Sequence, residues 1–593
     1  ILLSAAGAAI GGSLGGTVLG LSMAAAGRFA GAVIGRSIDQ RLLGTGSEPV
    51  EIGRVSRLRL TGAGEGDAIA RVQGRMRVAG NVIWATEFKE TKTVTGGGGG
   101  GKGGPPKPKR VEFEYSISLA IGLCEGEISH VARIWADGVE LSRTDLTMRV
   151  YPGSRDQLPD PRIEAVEGAG TVPAYRGTAY VVIEDLQLAQ FGNRVPQLTF
   201  EVIRPPQVGL PGAALDPAHS VRGVALLPGT GEYVLSTGEE TFGTLLADSK
   251  AANVNTPAGD PDFNVALADL QAELPDCGAV SLVVSWFGDD LRCGDCTIRP
   301  KVEIDGADGF GRPWQVAGLS RATAERVPFD SDGRAVYGGT PTDQSVIEAI
   351  RAMTADGLEV MYYPFILMDQ MPGNGLPDPW SDADDQPVLP WRGRITTSAA
   401  PGQEGSPDET AAAATEVDAF FGTAKAADFS LDGIVSVATG GNDGDYIPLQ
   451  YSGPVTASPV TYTGPGEWGY RRFILHQAML CKAAGGVESF CIGSEMRGLT
   501  QIRGADNSFP AVAHLIDLAA EVRAILGADT KISYAADWSE YFGYQPQDGS
   551  GDRFFHLDPL WADDNIDFIG IDNYMPLSDW RDGTEHLDAH WGA

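Results

Sequence analysis

A chain of 593 residues is longer than one hydrophobic core organises, so two to four domains are expected. Its composition is globular (43% hydrophobic, 21% charged), and six cysteines spread over this length exclude a disulfide scaffold. With 45 Lys and Arg against 78 Asp and Glu the net charge is −33, which argues against a nucleic-acid grip because phosphate contacts need a cationic surface. An acidic wall around a DNA channel remains compatible with that charge, since like charge prevents sticking.

The first 27 residues carry no charge, and Arg28 is the first ionisable side chain. Their glycines fall in i, i+4 rows: Gly7, Gly11, Gly15; Gly12, Gly16, Gly20; and Gly27, Gly31, Gly35. Such rows let helices approach closely, whereas the same glycines make a weak helix alone in water. Residues 1–46 are therefore expected to form a glycine-zipper helix that needs partners. Three readings stay open: a buried helix of an oligomer, a segment that enters a membrane, or a signal peptide. The last fits Ala24 to Ala26 loosely and lacks a basic leading region.

From about residue 50 the period shifts to two. Val72, Met76 and Val78 alternate with arginines, and Gly80-Asn81 is expected to turn that strand into Val82–Phe88. Residues 111–121 form the clearest strand, with Val111, Phe113, Tyr115, Ile117, Leu119 and Ile121 on one face and Ser116 and Ser118 on a solvated one. Asp137-Gly138 marks a hairpin turn. Thr93–Arg110, with six consecutive glycines followed by Lys and Pro, lacks the ending of a phosphate-binding loop and reads as a mobile basic hairpin tip. The β-rich region spans 47–206, and 207–275 reads as a linker leading into the next domain.

Residues 276–593 alternate strands and helices: strands at 280–287, 358–367, 489–492, 531–535 and 567–571, helices at 345–355, 467–484 and from Pro510 to Gly527. That alternation marks a parallel sheet, interrupted by a long Pro-, Gly- and Asp-rich insertion at 370–465. Cys293 and Cys296 are expected to be two buried thiols at a tight turn, a metal or redox role being the lesser alternative. His586 and His590 are expected to be solvent-exposed, no third ligand being evident. No metal or cofactor is expected.

Acidic and aromatic residues collect where these strands end. Trp286, Asp289 and Asp290 follow the first strand and Asp369 the second; Glu495 follows the third, Asp537 and Trp538 the fourth, Asp572 and Tyr574 the fifth. Carboxylates at the C-terminal mouth of a (β/α) barrel point into its open top face, where aromatic ring faces hold sugars and acids cleave glycosidic bonds. Glu495, Asp537 and Asp572 are thus the candidate catalytic residues, and Trp286, Trp538 and Tyr574 the candidate substrate contacts. Helix capping is the competing role for Asp537 and Asp572.

The stretches 283–296, 362–369, 535–542, 556–563 and 568–580 resemble the TIM-barrel-like module of gene transfer agent tail proteins. Residues 80–85, 120–126, 133–138 and 175–181 are similar to tail-tip hub and host-specificity proteins of siphophages. The resemblance implies a multidomain α+β and α/β protein: an axial N-terminal helix, an antiparallel tail-hub domain, and a glycosidase-related TIM-barrel-like domain that is incomplete at residue 593. It also implies a homotrimer at the distal tail tip, with neighbouring tip and hub proteins, a cell-envelope glycan or outer membrane as target, and DNA passing through the channel. Glu495 then corresponds to a glycosidase acid/base, but Ser494 stands where those enzymes usually carry Asn, and their nucleophile belongs to a later strand. The expected role is structural, supporting envelope contact and DNA delivery, with an active envelope-degrading glycoside hydrolase as the alternative.

Overall fold

The computed structural model describes residues 68–95, 110–207, 209–243, 250–310, 312–431, 458–575, 578 and 581–586, with the short strands Thr17–Val18, Leu21–Ser22, Val50–Ile52, Ile434–Val435 and Gln450–Tyr451. Two compact units emerge. One comprises Ile1–Val221, Asn255–Asp260 and Ala268–Asp276; the other comprises Arg222–Val254, Pro261–Leu267 and Cys277–Ala593. The expected N-terminal helix lies outside the described residues, except that Thr17–Val18 and Leu21–Ser22 pair antiparallel, extended where a helix was expected. The 96–109 part of the Gly/Pro/Lys loop also lies outside them. Among the described residues no helix is long and apolar enough to cross a membrane.

The first unit is built around one 16-residue strand, Arg110–Glu125. It pairs antiparallel with Thr178–Gln187, Asn81–Ala85 and Lys89–Thr95, and parallel with Val50–Ile52. A second sheet runs in the order Gly74–Val78, Leu198–Arg204, His130–Ala136, Val139–Leu141. Leu119, Ile121, Phe200 and Val202 meet in the core that the two sheets share. The Asp137-Gly138 hairpin forms, with both residues at positive φ (51° and 84°) and Ala136 opposite Val139, as the twist of paired strands requires.

Two expectations change here. The strands flanking Gly80-Asn81 belong to different sheets, so this turn is a crossing rather than a hairpin. Gly80 is needed at φ +66°, since a Cβ there would meet Ile121 Cγ2 at 2.5 Å. Ser116 and Ser118, expected on a solvated face, are buried. The Ser118 hydroxyl accepts from Asp185 N (3.0 Å), and its backbone N–H donates to Thr86 Oγ1 (3.0 Å), so both polar groups are satisfied internally.

The second unit carries six parallel strands in sheet order: β1 (Gly223–Leu226), β2 (Ala279–Gly288), β3 (Glu359–Met368), β4 (Ser489–Ser494), β5 (Lys531–Asp537) and β6 (Gly570–Asp572). Helices α1 (Asp343–Ala355), α2 (Ala411–Phe421), α3 (Tyr470–Ala484) and α4 (Pro510–Leu526) lie between them in sequence. Their ends follow local chemistry: Thr342 caps α1 by accepting from Ser345 N, Pro510 opens α4, and Gly485 and Gly527 end α3 and α4 at positive φ. β1 falls within the stretch that reads as linker; four residues with one buried apolar side chain are too few for a period to show.

Side-chain alternation gives the sheet two faces. Tyr363, Phe365, Cys491 and Ala535 share an inner cluster with Val283 and Met361. Leu282, Val284 and Trp286 occupy the opposite face, where the Trp286 ring lies 5.0 Å from Phe473 of α3 and the Tyr362 hydroxyl donates to Gln477 (2.5 Å). Tyr363 of β3 also reaches Asp572 of β6, three strands away. That contact requires a sheet curled into part of a barrel with its inner cluster on the concave side.

Candidate functional site

Glu495 is the first residue beyond β4. Its backbone adopts φ +49°, a left-handed conformation that costs a non-glycine residue on the order of 1 kcal/mol, and its N–H donates to Ala535 O of β5 at 2.8 Å. The side chain is 3% exposed. Oε2 accepts from Trp391 Nε1 (2.9 Å) and pairs with Arg392 Nη2 (3.0 Å). Both donors come from the 370–465 insertion, Arg392 opening the single turn Arg392–Arg394. Arg392 also donates to the Ser494 carbonyl and hydroxyl, each at 2.9 Å, and its guanidinium lies 3.8 Å from the Phe365 ring centroid. Ser494, the departure from the glycosidase pattern, is thus a ligand of the arginine that neutralises Glu495.

Asp572, at the end of β6, brings a second carboxyl group against Glu495. Tyr363 donates to Asp572 Oδ2. Burial, reinforced by the Glu495 charge, pushes the Asp572 carboxyl up to about 6, while the Tyr363 hydrogen bond and Arg392 pull it back. Tyr574 lies exposed at the rim; its hydrogen bond to Glu495 pushes its hydroxyl up to about 12. Burial likewise raises the Tyr363 hydroxyl, helped by Asp572. Glu495 Oε1 takes no hydrogen bond from a donor among the described residues, leaving one acceptor within a ring of acidic and phenolic groups.

Glu495, Asp572 and Tyr574 therefore come together, and three other expected site residues are placed differently. Asp537 caps the turn Trp538–Glu540: its Oδ1 accepts from Ser539 N at 2.9 Å, and Glu540 accepts from Asp537 N at 2.8 Å. Asp537→Ala is expected to cost about 1 kcal/mol in denaturant unfolding of the second unit while leaving any ligand binding at Glu495 unchanged. Trp538 sits on that turn, 36% exposed. Trp286 is fully buried on the α3 face, packed by Phe473, Trp468 and His476, because the strand period turns it away from the inner cluster.

The remaining strand-end acids have structural partners. Asp290 pairs with Arg292 (2.6 Å), Asp289 accepts from Thr297 N (2.6 Å), and Asp369 pairs with Lys301 (2.6 Å). Among the described residues no group of three His, Cys, Asp or Glu is placed to hold a metal. Cys293 and Cys296 are free and buried, and burial drives both thiols up. Five of the six cysteines are buried and Cys277 is partly so. A disulfide reagent is accordingly expected to label one thiol of the native chain, and all six after unfolding. His586 is buried, at 4% exposure, contrary to the exposed position expected, and His590 lies outside the described residues.

Trp391 and Arg392 were not legible as site residues in the sequence. They lie in the loop-rich insertion about a hundred positions before Glu495, where no periodicity assigns a face. Their only signal is composition, an aromatic next to a base in a run otherwise rich in Asp, Pro and Gly.

Residues 468–593 match the GTA TIM-barrel-like domain family. None of the curated proteins compared matches the chain. Among solved structures, a chain from the virion of a native gene transfer agent particle is 57% identical over 39% of this chain and 45% of that chain, with a TM-score of 0.23. This chain thus spans less than half the length of the particle chain it matches. Two structures of a GH113 beta-1,4-mannanase, one of them a complex, are 14% identical over 53% of this chain and 56% of that chain, with a TM-score of 0.23. Residues 468–593 are thus similar to the GTA TIM-barrel-like domain, and the chain is similar to a gene transfer agent particle component.

Proposed function

We propose that this chain is a structural component of a gene transfer agent particle, situated at the distal tip of its tail. The 57% identity to a chain of a native particle carries this reading. The net charge of −33 agrees with it, since an acidic wall does not retain passing DNA. In this reading the chain acts as a homotrimer beside other tip and hub proteins, the β-rich unit belongs to the hub, and the barrel meets an envelope glycan through the rim around Glu495, Asp572, Trp538 and Tyr574. Residues 1–46 serve there as an axial plug or membrane-penetrating element. Gold-labelled antibody raised against residues 222–593 should bind one end of the tail in intact particles. Label on the capsid, or particles that carry none, would refute the assignment.

The second reading is an envelope-cleaving glycoside hydrolase, favoured by one observation: the Asp572 carboxyl holds its proton up to about pH 6 beside a second carboxylate. Against it, Ser494 stands where glycosidases usually carry Asn before the acid, and here it serves to bind Arg392. With Arg392 and Trp391 on Glu495 Oε2, the carboxyl pair supports polar ligand binding better than in-line attack. Release of reducing ends from envelope polysaccharide by the wild-type chain, lost in both Glu495→Gln and Asp572→Asn, would establish the hydrolase instead.

A further inference from the structure

Away from the Glu495 group, the second unit contains a cavity of about 440 Å³, within the range of small-molecule pockets. Three pieces of chain build it. A tight hairpin pairs Gln315–Val316 with Leu319–Ser320, its two turn residues Ala317 and Gly318 at φ 50° and 83°. The strand Val460–Tyr462, preceded by Ser458, forms a second wall, and the first turn of α3 supplies Arg472.

Arg472 is 9% exposed, and no carboxylate among the described residues lies within ion-pair distance of it. Its guanidinium is clamped between two rings, 3.6 Å from the Trp468 centroid and 4.3 Å from the Tyr462 centroid. Two backbone carbonyls take part of its hydrogen-bonding capacity: Nη1 donates to Glu467 O (2.8 Å) and Nη2 to Ala317 O (3.4 Å). Nε is buried and has no acceptor. A second cation, Arg299, stands 5.6 Å from the Trp468 centroid on its guanidinium carbon.

In a chain of net charge −33, carboxylates are abundant, and the other buried arginines among the described residues, Arg321, Arg392, Arg471 and Arg503, are each paired with one. A desolvated guanidinium without one is costly, and burial accordingly holds its pKa down, with Arg299 adding to the effect. Arg472 presents the fork that recognises a planar carboxylate, and α3 opens at Gly469 with no side-chain cap, adding the positive end of a helix dipole. The cavity is larger than a bare carboxylate needs, and its remaining polar lining includes the Gln315 amide and the hydroxyls of Ser320, Ser458, Thr461 and Tyr462. Those groups suit a ligand that carries hydroxyls as well as charge.

We propose that this cavity is a binding site for a carboxylated sugar, a uronic-acid unit, with Arg472 pairing its carboxylate and the Gln315, Ser320 and Thr461 side chains meeting its hydroxyls. The site is separate from the Glu495 group and does not depend on the tail-tip reading.

Calorimetric titration of the full chain with galacturonate, galactose and acetate tests it. Galacturonate should bind in the millimolar range or tighter, acetate should compete, and galactose should show no saturable heat. Arg472→Gln should weaken galacturonate by about tenfold or more, the loss expected when a desolvated charge pair is removed. Because Arg472 is buried and that variant can fail to fold, Ser320→Trp, a change in the hairpin that fills the cavity mouth, provides the second arm and should abolish binding in a folded protein. No saturable binding of galacturonate to the wild-type chain, equal binding of galactose, or undiminished binding in Ser320→Trp would overturn the proposal.

Discussion

Arg392→Met is expected to destabilise the second unit by about 3–5 kcal/mol, the usual cost of removing one partner from a buried ion pair. The size follows from what the substitution leaves behind. Glu495 would keep the Trp391 and Tyr574 hydrogen bonds but would face the Asp572 carboxyl with no cation in a site 3% exposed to water. Ser494 would lose donors to both its carbonyl and its hydroxyl. If the orphaned charge is the cause, neutralising it must restore stability. The double variant Arg392→Met, Glu495→Gln should recover about 2 kcal/mol or more of the loss, a coupling that a double-mutant cycle in urea reads directly. Equal losses in the single and double variants would mean that Arg392 acts through packing on Phe365 rather than through charge.

This ion pair also explains why residues 391–394 of the insertion hold a fixed position at the strand ends. The turn that presents Trp391 and Arg392 is a single 3-10 turn, too short to be stable by itself. It is anchored by three hydrogen bonds from Arg392 to Ser494 and Glu495 and by one from Trp391 to Glu495. Glu495 in turn is held at φ +49° by its backbone bond to β5 and by these donors. Strained backbone, a buried charge and a long loop thus fix one another, and removing the arginine releases all three.

The parallel sheet was legible because its strands are long apolar runs and its helices carry Pro, Thr and Gly where helices begin and end. β2 to β5 lie where the periods place them, within one or two residues at most ends. What was illegible has specific physical reasons. β1 is four residues long and displays no pattern, whereas the strand expected at 567–571 forms only as the three residues Gly570–Asp572. The buried serines of strand Arg110–Glu125 read as solvent-facing because sequence alternation does not reveal that this face, which carries Ala120 against Ile163 and Val172, is covered. At the candidate site, Glu495 and Asp572 were legible as strand-end acids. Their arginine and tryptophan were not, because a contact across about a hundred residues of loop leaves no periodic trace. Trp286 misled for the opposite reason: proximity to a strand end says nothing about which face the side chain takes until the register is known.

Glu540→Gln is expected to stabilise the second unit by roughly 3–4 kcal/mol at pH 8 and by almost nothing at pH 4. Glu540 is 2% exposed, and burial pushes its carboxyl up to about 7, with the Asp537 charge adding to the rise. An unfolded glutamate titrates near 4.3, so a folded value of about 7 corresponds, at about 1.36 kcal/mol per pH unit, to roughly 3–4 kcal/mol. The sign follows from proton counting. Between about pH 4.3 and 7 the folded state binds the extra proton, so this group's contribution is fully present below 4.3 and is lost as pH rises through 7. Gln mimics the protonated form: its carbonyl can accept from Asp537 N, and its amide can donate to the hydroxyl oxygens of Thr500 and Tyr534, which now donate to Glu540. His556, whose Nε2 lies 3.3 Å from Thr500 Oγ1, acts in the opposite direction. Burial holds its imidazole down to about 4, so its contribution is present above about 6.5 and is lost as pH falls toward 4. The two slopes oppose each other in the wild-type chain between pH 4.3 and 6.5, which is why the variant must be compared with wild type at each pH by urea unfolding. A stability difference between variant and wild type that stays constant from pH 4 to pH 8 would show that Glu540 titrates alike in the folded and unfolded chain, its three hydrogen bonds offsetting its burial.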